Sequence, residues 1–196
     1  MKLFGLFFSF LFLCSNLLGD AAECTVHFSC EGDLADKLIE LIDKEKKSLK
    51  IAVYSINHIR LGKAISRAKK RGVDVEVVID PFCVKKKSPI HDWIEKKVPL
   101  YVWDRSLQMG REFASPKQKS QMHHAFCIFG DRLVWTGSFL FTYDSSKRNQ
   151  ENVICLDSKK VAQKYLSHFS HLKLYESRPL SEYIALYPKK RGKKVR

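Results

Sequence analysis

Apolar positions follow two different periods along the first half of the chain. They alternate or run together at residues 25–28, 49–56 and 73–79, which predicts three strands. They recur at helical spacing at residues 33–44 and 61–71, which predicts two amphipathic helices between those strands. The order strand, helix, strand, helix, strand is typical of parallel βαβ units.

The second half of the chain has shorter elements. In chain order the pattern predicts a helix at 91–97, strands at 100–103, 126–129, 133–136 and 152–156, and a closing helix at 159–172. Between Asp104 and Gln121 the composition turns polar, which predicts a long loop of the kind that is often functional. Together the elements predict an α/β fold with a mixed, largely parallel central sheet and helices on both faces.

The composition supports one ordinary domain and an anionic partner. The chain has 196 residues, of which 45% are hydrophobic, enough to bury a core and to exclude wholesale disorder. Its 35 Lys and Arg outnumber 21 Asp and Glu, giving a net charge of +14. This excess favours nucleic acid, phospholipid headgroups or a phosphorylated substrate, without specifying a fold. Six of the cations form a basic tail at residues 189–196.

The N-terminus has the pattern of a secretory signal peptide. Lys2 precedes an apolar run at residues 3–14, and small residues follow it. We therefore expect residues 1–21 to direct export to a periplasm or to the cell exterior. An uncleaved membrane anchor is the alternative, although the run is shorter than the ~20 apolar residues that span a bilayer.

The domain organisation follows from this N-terminal segment and from the basic tail. We expect a signal peptide at 1–21, a folded domain at 24–178 and a C-terminal extension at 179–196. Loss of the signal peptide would leave an odd number of cysteines: Cys24, Cys30, Cys83, Cys127 and Cys155. At least one thiol would then be unpaired or bonded to another chain. The cysteine spacings do not match a zinc site, and we expect Cys127 and Cys155 to be core residues of strands.

The residues with the strongest chemical signal lie between 122 and 152. His123 is followed at fixed spacing by Gly137-Ser138 and then by Glu151. Here the sequence resembles the phospholipase D superfamily, in particular its small single-motif members, the secreted bacterial endonucleases and the mitochondrial cardiolipin hydrolases. The family motif is His-x-Lys, four residues, Asp, six residues, Gly-Ser-x-Asn, and a Glu about a dozen residues later.

The resemblance extends over nearly the whole chain after the signal segment. Residues 26–29, 51–55 and 68–80 are similar to the first half of the family in the same order and at similar spacing. Three motif positions depart from the family. Ala125 stands where the family has Lys, Gly130 where it has Asp, and Leu140 where it has Asn.

The resemblance implies a phosphodiesterase that uses neither metal nor cofactor. An imidazole attacks phosphorus to form a phosphohistidine, a second His protonates the leaving oxygen, and water then hydrolyses the intermediate. A chain with one motif must obtain the second His from a partner, so the resemblance implies a two-fold homodimer. The substrate class is phospholipid or nucleic acid. Contact with a membrane surface is compatible both with an exported protein and with one anchored by its N-terminal segment.

The resemblance also implies roles for particular residues. His123 is the expected nucleophile, Ser138 the expected donor to the phosphoryl oxygens and Glu151 the expected carboxylate that orients His123. The expected substrate-binding residues are Gly137, from the motif, and three residues chosen by position: Tyr54, which ends a buried strand and can line the cleft, and Lys117 and Lys119 in the polar loop. Lys147 and Arg148 are further cations that can replace the missing motif Lys. His124 is expected to point away from His123, because successive side chains of a strand alternate.

The three departures leave a second function open. Removing a preorganised donor or cation from a transition state costs about 3 to 4 kcal/mol, and Ala125 and Leu140 cannot supply these groups. A homodimer repeats the same chain, so its partner would not restore them. The alternative is a catalytically impaired family member that binds anionic lipid or nucleic acid without hydrolysing it.

Overall fold

The structure is a computed structural model that describes residues 22–84, 89–107 and 120–188. The expected signal segment at 1–21 and the basic tail at 189–196 lie outside the described residues. Most of the polar stretch expected as a long loop, including Lys117 and Lys119, also lies outside them.

The strands of the described residues form one eight-stranded sheet in the order β1-β7-β6-β5-β2-β3-β4-β8. The strands are β1 (Glu23–Phe28), β2 (Ser48–Val53), β3 (Asp74–Ile79), β4 (Leu100–Trp103), β5 (Ala125–Phe129), β6 (Leu133–Gly137), β7 (Asn152–Asp157) and β8 (Ser177–Pro179). The helices are α1 (Leu34–Lys44), α2 (Ile59–Lys70), α3 (Ile90–Glu95), α4 (Tyr143–Lys147), α5 (Lys159–Tyr175) and α6 (Leu180–Leu186). Short 3₁₀ turns follow β1, β3 and β4.

The sheet is mixed, as the sequence predicts, but parallel pairing is more limited than expected. The pairs β2–β3 and β3–β4 are parallel, and both are linked by helical crossovers. The other five pairs are antiparallel. The reason lies in the connections, because β5 and β6 are joined by a tight turn that is too short for the crossover a parallel pair needs.

Helices cover both faces of the sheet, which confirms the predicted layering. On one face, α1, α2, α3 and α6 pack on side chains such as Ile51 and Val77. On the other face, α5 packs Phe169 and Leu172 against Phe126 and Ile128. The sheet therefore separates two cores, and polar residues lie where its strands begin and end.

Two C-terminal elements were absent from the sequence prediction. The strand β8 pairs with β4, and Leu180 at the start of α6 is buried in the core that contains Val102. The boundary expected after residue 178 therefore falls inside β8, and the chain through α6 packs on the domain. None of the helices within the described ranges has both the length and the apolar character that a bilayer crossing requires.

The cysteines lie where the sequence predicts. Cys127 is on β5 and Cys155 on β7, and both are buried. Burial raises the pKa of the Cys127 thiol well above its ordinary value and also raises that of Cys155. These two thiols therefore stay protonated and act as small apolar side chains. Cys24 and Cys30 are free and exposed.

The start of α2 gives a prediction for pH dependence. His58 is buried, its Nδ1 accepts a hydrogen bond from the Leu61 amide at 3.3 Å, and burial lowers its pKa below the ordinary 6.5. The unfolded chain binds this proton more readily, so His58 contributes a loss of stability as pH falls from about 6.5. We expect His58→Asn, which keeps an N-cap acceptor, to lose less stability than wild type between pH 7.5 and 5.5. Urea unfolding at both pH values measures this difference, and equal losses would contradict it.

Candidate active site

The site residues predicted from the sequence lie along one edge of the sheet. The strands β2, β3 and β6 run in one direction and β5 and β7 in the other. The carboxyl ends of the first three therefore meet the amino ends of the other two. Tyr54, Asp80 and Ser138 follow the former, and His123 and Glu151 precede the latter. Ligand sites in open α/β sheets occur at such carboxyl ends.

His123 is exposed and rests on an aromatic side chain. Its ring centroid lies 4.6 Å from that of Tyr54, with 31° between the planes. Tyr54 in turn stacks on Phe82 at 5.3 Å, and its hydroxyl oxygen accepts a hydrogen bond from Gln121 Nε2 at 3.0 Å. The imidazole is thus supported on one side and open to solvent, which is the arrangement a nucleophile needs.

Asp80 is a further residue of the site, and it is not among those that the sequence pattern indicates. It is 5% exposed, and its two carboxylate oxygens accept the Phe82 amide at 2.8 Å and the Met122 amide at 2.9 Å. Burial raises its pKa, and the nearby His123 opposes that rise. Asp80 therefore fixes the backbone at Met122, next to His123, and at Phe82, whose ring stacks on Tyr54. A carboxylate directly after a parallel strand was the signal that could have found it.

Ser138 and Glu151 form a hydrogen-bonded pair. The Ser138 hydroxyl donates to Glu151 Oε2 at 2.5 Å and accepts the Asn152 amide at 3.1 Å. The other carboxylate oxygen of Glu151 accepts Asn149 Nδ2 at 3.1 Å. The hydroxyl has one proton, so Ser138 can donate to a phosphoryl oxygen only after it exchanges its bond to Glu151.

The expected contact between Glu151 and His123 is not formed within one chain. Among the hydrogen bonds of residues 22–84, 89–107 and 120–188, the Glu151 carboxylate bonds Ser138 and Asn149, and none joins it to His123. The backbone of Glu151 is also held, since its amide donates to Ser29 Oγ at 2.9 Å. Its role in orienting an imidazole stays a prediction.

Gly137 has a packing role at this edge. A Cβ built on Gly137 would lie 2.2 Å from the Asn152 carbonyl oxygen and 2.9 Å from Val153 Cα. No side chain fits there, because β6 and β7 approach too closely at this point. This close approach also brings the Ser138 hydroxyl within reach of Glu151. The expected role of Gly137 in substrate binding stays a prediction.

The three departures from the family motif occupy different parts of the fold. Ala125 is buried at the start of β5 opposite Val53, two residues from His123, and Leu140 is half-buried beyond Ser138. Gly130 lies in the turn at the far end of β5, seven residues from His123 and about 20 Å away for an extended chain. Its φ of 56° is in the left-handed region, which favours glycine. Ala125 and Leu140 therefore change the site, and Gly130 does not.

The cations expected to replace the motif Lys divide into two groups. Lys117 and Lys119 lie outside the described residues. Lys147 Nζ donates to Asp33 at 2.6 Å, and Arg148 Nη1 donates to Asp144 at 2.9 Å. These last two are committed to neighbouring carboxylates rather than to the sheet edge.

His124 points to the opposite face of the sheet, as the alternation predicts. Its Nε2 lies 3.0 Å from Nε2 of His168 on α5, and its ring lies beside Phe126. Burial lowers its pKa, and the proximity of His168 lowers it further. His124 cannot act on a substrate bound at His123. Within the described ranges, no group of three His, Cys, Asp or Glu side chains is placed to hold a metal ion.

The fold and site define a class of protein, and comparisons with known proteins identify the family. An exposed histidine at one edge of a mixed sheet, with a Gly-Ser turn on the next strand, is the arrangement of a phospholipase D-like domain. The family model described as "Cardiolipin synthase, PLD-like domain" matches residues 38–173. The chain belongs to this PLD-like family.

Individual relatives agree with this assignment. The chain is 29% identical over 133 residues to a phospholipase D of Rickettsia conorii, covering 67% of this chain and 60% of the relative. It is 24% identical over 151 residues to a mitochondrial cardiolipin hydrolase of Xenopus tropicalis, covering 76% and 66%. The chain thus spans about 60% of the length of the Rickettsia relative.

Solved structures show the same fold. The structure of Nuc from Salmonella typhimurium, a phospholipase D family member, has a TM-score of 0.66 and 27% identity, with 81% of this chain and 97% of that chain covered. NucT from Helicobacter pylori has a TM-score of 0.67 and 19% identity, with 79% and 98% covered. The second likeness concerns the fold alone.

Proposed function

We propose that the protein is a phosphodiesterase that hydrolyses phosphodiester bonds in phospholipid or nucleic acid through a phosphohistidine. The observation that carries this proposal is the exposed imidazole of His123, held on Tyr54 at the sheet edge. Family membership supports it, because relatives with the names phospholipase D and cardiolipin hydrolase match most of the chain.

The proposed reaction has two displacements at phosphorus. A ring nitrogen of His123 attacks, a nitrogen–phosphorus bond forms, and the bond to the leaving oxygen breaks. A general acid gives that oxygen a proton, so an alcohol departs. A water molecule, deprotonated by the same group, then breaks the nitrogen–phosphorus bond. The products are a phosphomonoester, the alcohol and free His123.

The general acid in this proposal is His123 of a second copy. His124 faces α5 and cannot reach the substrate. A two-fold homodimer that brings the two His123 side chains together would supply both a nucleophile and an acid. The same arrangement would allow Glu151 of one copy to approach His123 of the other, which accounts for the missing contact within one chain.

The alternative is a family member that binds anionic lipid or nucleic acid with little or no hydrolysis. The observation that favours it is the loss of two polar groups of the family motif, since Ala125 and Leu140 offer neither a cation nor a polar donor. The hydroxyl of Ser138 is already bonded to Glu151. Charge stabilisation at phosphorus would therefore be weaker than the family motif supplies.

The place of action is part of the proposal. The apolar N-terminal run at residues 3–14 supports export, with retention as a membrane anchor as the alternative. Either location would bring the protein to phospholipid surfaces or to extracellular nucleic acid.

A substrate panel tests the proposal. Purified protein is incubated with cardiolipin vesicles, phosphatidylcholine vesicles and single-stranded DNA in the presence of EDTA, and the products are separated by chromatography. We expect a phosphomonoester from at least one substrate. Binding without product from any of them would overturn the phosphodiesterase in favour of the impaired binder.

A further inference from the structure

The two edges of the sheet differ in how they are protected against pairing with another strand. The edge strand β8 has three residues, and two of them are Arg178 and Pro179. The edge strand β1 has six residues and contains neither Pro, Lys nor Arg. Short length, positive charge and proline are the means by which edge strands avoid pairing with another chain. The β1 edge therefore lacks the protection that the β8 edge has.

The outer side of β1 is accessible within the described part of the chain. The strand pairs with β7, and none of its residues is buried. A cleft of about 340 Å³ lies between this strand and α1. Lys37 and Glu40 of α1 line the cleft, so the charge beside the strand is mixed. The helix on the other face, α5, packs on strands further inside the sheet. Neither helix therefore covers the outer edge.

The backbone of β1 presents unused hydrogen-bonding groups at this edge. The Ser29 amide donates to the Glu151 carbonyl oxygen at 2.9 Å, which shows which positions face β7. Because this direction alternates along a strand, the amides and carbonyls of Cys24 and Val26 point outward. They have no partner among the residues that the structure describes. The next outward amide, that of Phe28, already donates to a side-chain carboxylate at 3.2 Å.

The sequence of β1 is complementary to itself in one antiparallel register. With Thr25 of two copies opposite each other, Cys24 of each copy faces Val26 of the other, and each such pair exchanges two backbone hydrogen bonds. The same register places Glu23 of each copy opposite His27 of the other. A carboxylate opposite an imidazole is a favourable cross-strand pair, because the ring N–H donates to the carboxylate.

Apolar side chains also meet in this register, on the face that carries α5. Val26 lies beside Ile154 of β7, and Cys24 lies beside Leu156. Val26 and Ile154 are 49% and 36% exposed. Pairing of two copies would place these four side chains in continuous apolar rows across both sheets. A register centred on Val26 is poorer, because Cys24 would then face Phe28, whose amide is already bonded.

We propose that β1 pairs antiparallel with β1 of a second copy, centred on Thr25, so that the two sheets become one. A second copy fits better than an unrelated strand, because the hydrogen-bonding, charged and apolar positions all match under a two-fold axis. This contact differs from the proposed pairing of His123 side chains, since β1 lies three strands from β5 in the sheet. Each contact can exist without the other, and both together would assemble more than two chains.

Disulfide cross-linking tests the contact and its register. The test protein is the full chain with Val26→Cys, and with Cys14→Ser and Cys30→Ser to remove other thiols. Its new thiol would face Cys24 of the second copy with the Cα atoms about 5.5 Å apart, which suits a disulfide. The matched control adds Cys24→Ser, which leaves only thiols that lie about 8 Å apart, too far for a disulfide. We expect oxidation to link two chains at least tenfold faster in the test protein, as measured by non-reducing gel electrophoresis.

A charge swap tests the pairing of Glu23 with His27. Adding His27→Glu to the cross-linking protein would place two carboxylates opposite each other at both ends of the contact. We expect this change to slow cross-linking about tenfold, because like charges directly opposite destabilise a strand pair. Adding Glu23→His as well restores a carboxylate opposite an imidazole and should restore the rate. Circular dichroism verifies that each variant is folded.

Three results would overturn this contact. They are equal cross-linking with and without Cys24, no cross-linking of either protein, and a charge swap in which His27→Glu has no effect or Glu23→His fails to reverse it. The contact does not rest on the proposed function. Hydrolysis of a substrate without cross-linking would reject the contact and leave the proposed function standing, and cross-linking without hydrolysis would do the reverse.

Discussion

Replacing His123 with alanine is expected to lower hydrolysis of the best substrate by a factor on the order of 10³ or more, because removal of a nucleophile from a hydrolase leaves only binding and charge stabilisation. The variant should fold normally, since His123 is exposed and its principal contact is one ring of Tyr54. The measurement is kcat/KM for wild type and variant with the same substrate. Brief reaction with a phosphorus-labelled substrate and an alkaline denaturing quench, under which a nitrogen–phosphorus bond survives, should leave label on the wild type but not on the variant.

The matched control for this prediction is His124→Ala. The two histidines are adjacent in sequence but lie on opposite faces of the sheet, with His124 against His168. We expect His124→Ala to retain kcat/KM within about threefold, because its ring does not touch the reacting atoms. Full activity of His123→Ala, or equal losses in both variants, would refute His123 as the nucleophile.

Restoring two missing groups of the family motif is expected to raise activity on the order of 10²-fold to 10³-fold. The variant is Ala125→Lys with Leu140→Asn. Each group would stabilise charge on the phosphoryl oxygens, and one such donor is worth about this factor in related hydrolytic sites. Ala125 is 8% exposed at the strand end, so a Lys stem can pass along the sheet and place its ammonium at the edge. The measurement is kcat at saturating substrate, because the gain arises in the transition state.

Gly130→Asp is the control for this gain. It restores the third motif position, but Gly130 lies in the turn at the opposite end of β5. We expect no change in kcat and a small loss of stability, because the left-handed φ of 56° is less favourable for Asp than for Gly. A large gain from Gly130→Asp, or none from the double variant, would show that the departures act through some other part of the molecule.

The long elements of the fold could be predicted from hydrophobic period. Helix α1 begins after Asp33, whose side chain accepts a hydrogen bond from the Ala35 amide. Strand β4 covers the predicted residues, 100–103. The short C-terminal elements could not be predicted, because β8 has three residues and exists through its pairing with β4. The extent of antiparallel pairing was also underestimated, since periodicity finds strands but does not give their neighbours.

Some features of the candidate site could likewise be predicted from the sequence, and others could not. The motif spacing located His123, Ser138 and Glu151, and alternation along a strand placed His124 on the other face. The bond between Ser138 and Glu151 depends on how closely β6 approaches β7, which the sequence does not show. Asp80 was missed because an acidic residue followed by proline is also the ordinary end of a strand.

The position of β1 at the edge of the sheet has a kinetic consequence. Glu23 pairs with Asp157, so the first strand of the domain joins the sheet through one of the last. Contacts between residues so far apart in sequence carry a large entropic cost of loop closure and slow folding. We expect the parallel centre of the sheet to assemble first and β1 to join last. A chain interrupted before β7 would expose an unpaired β1 and be prone to aggregate.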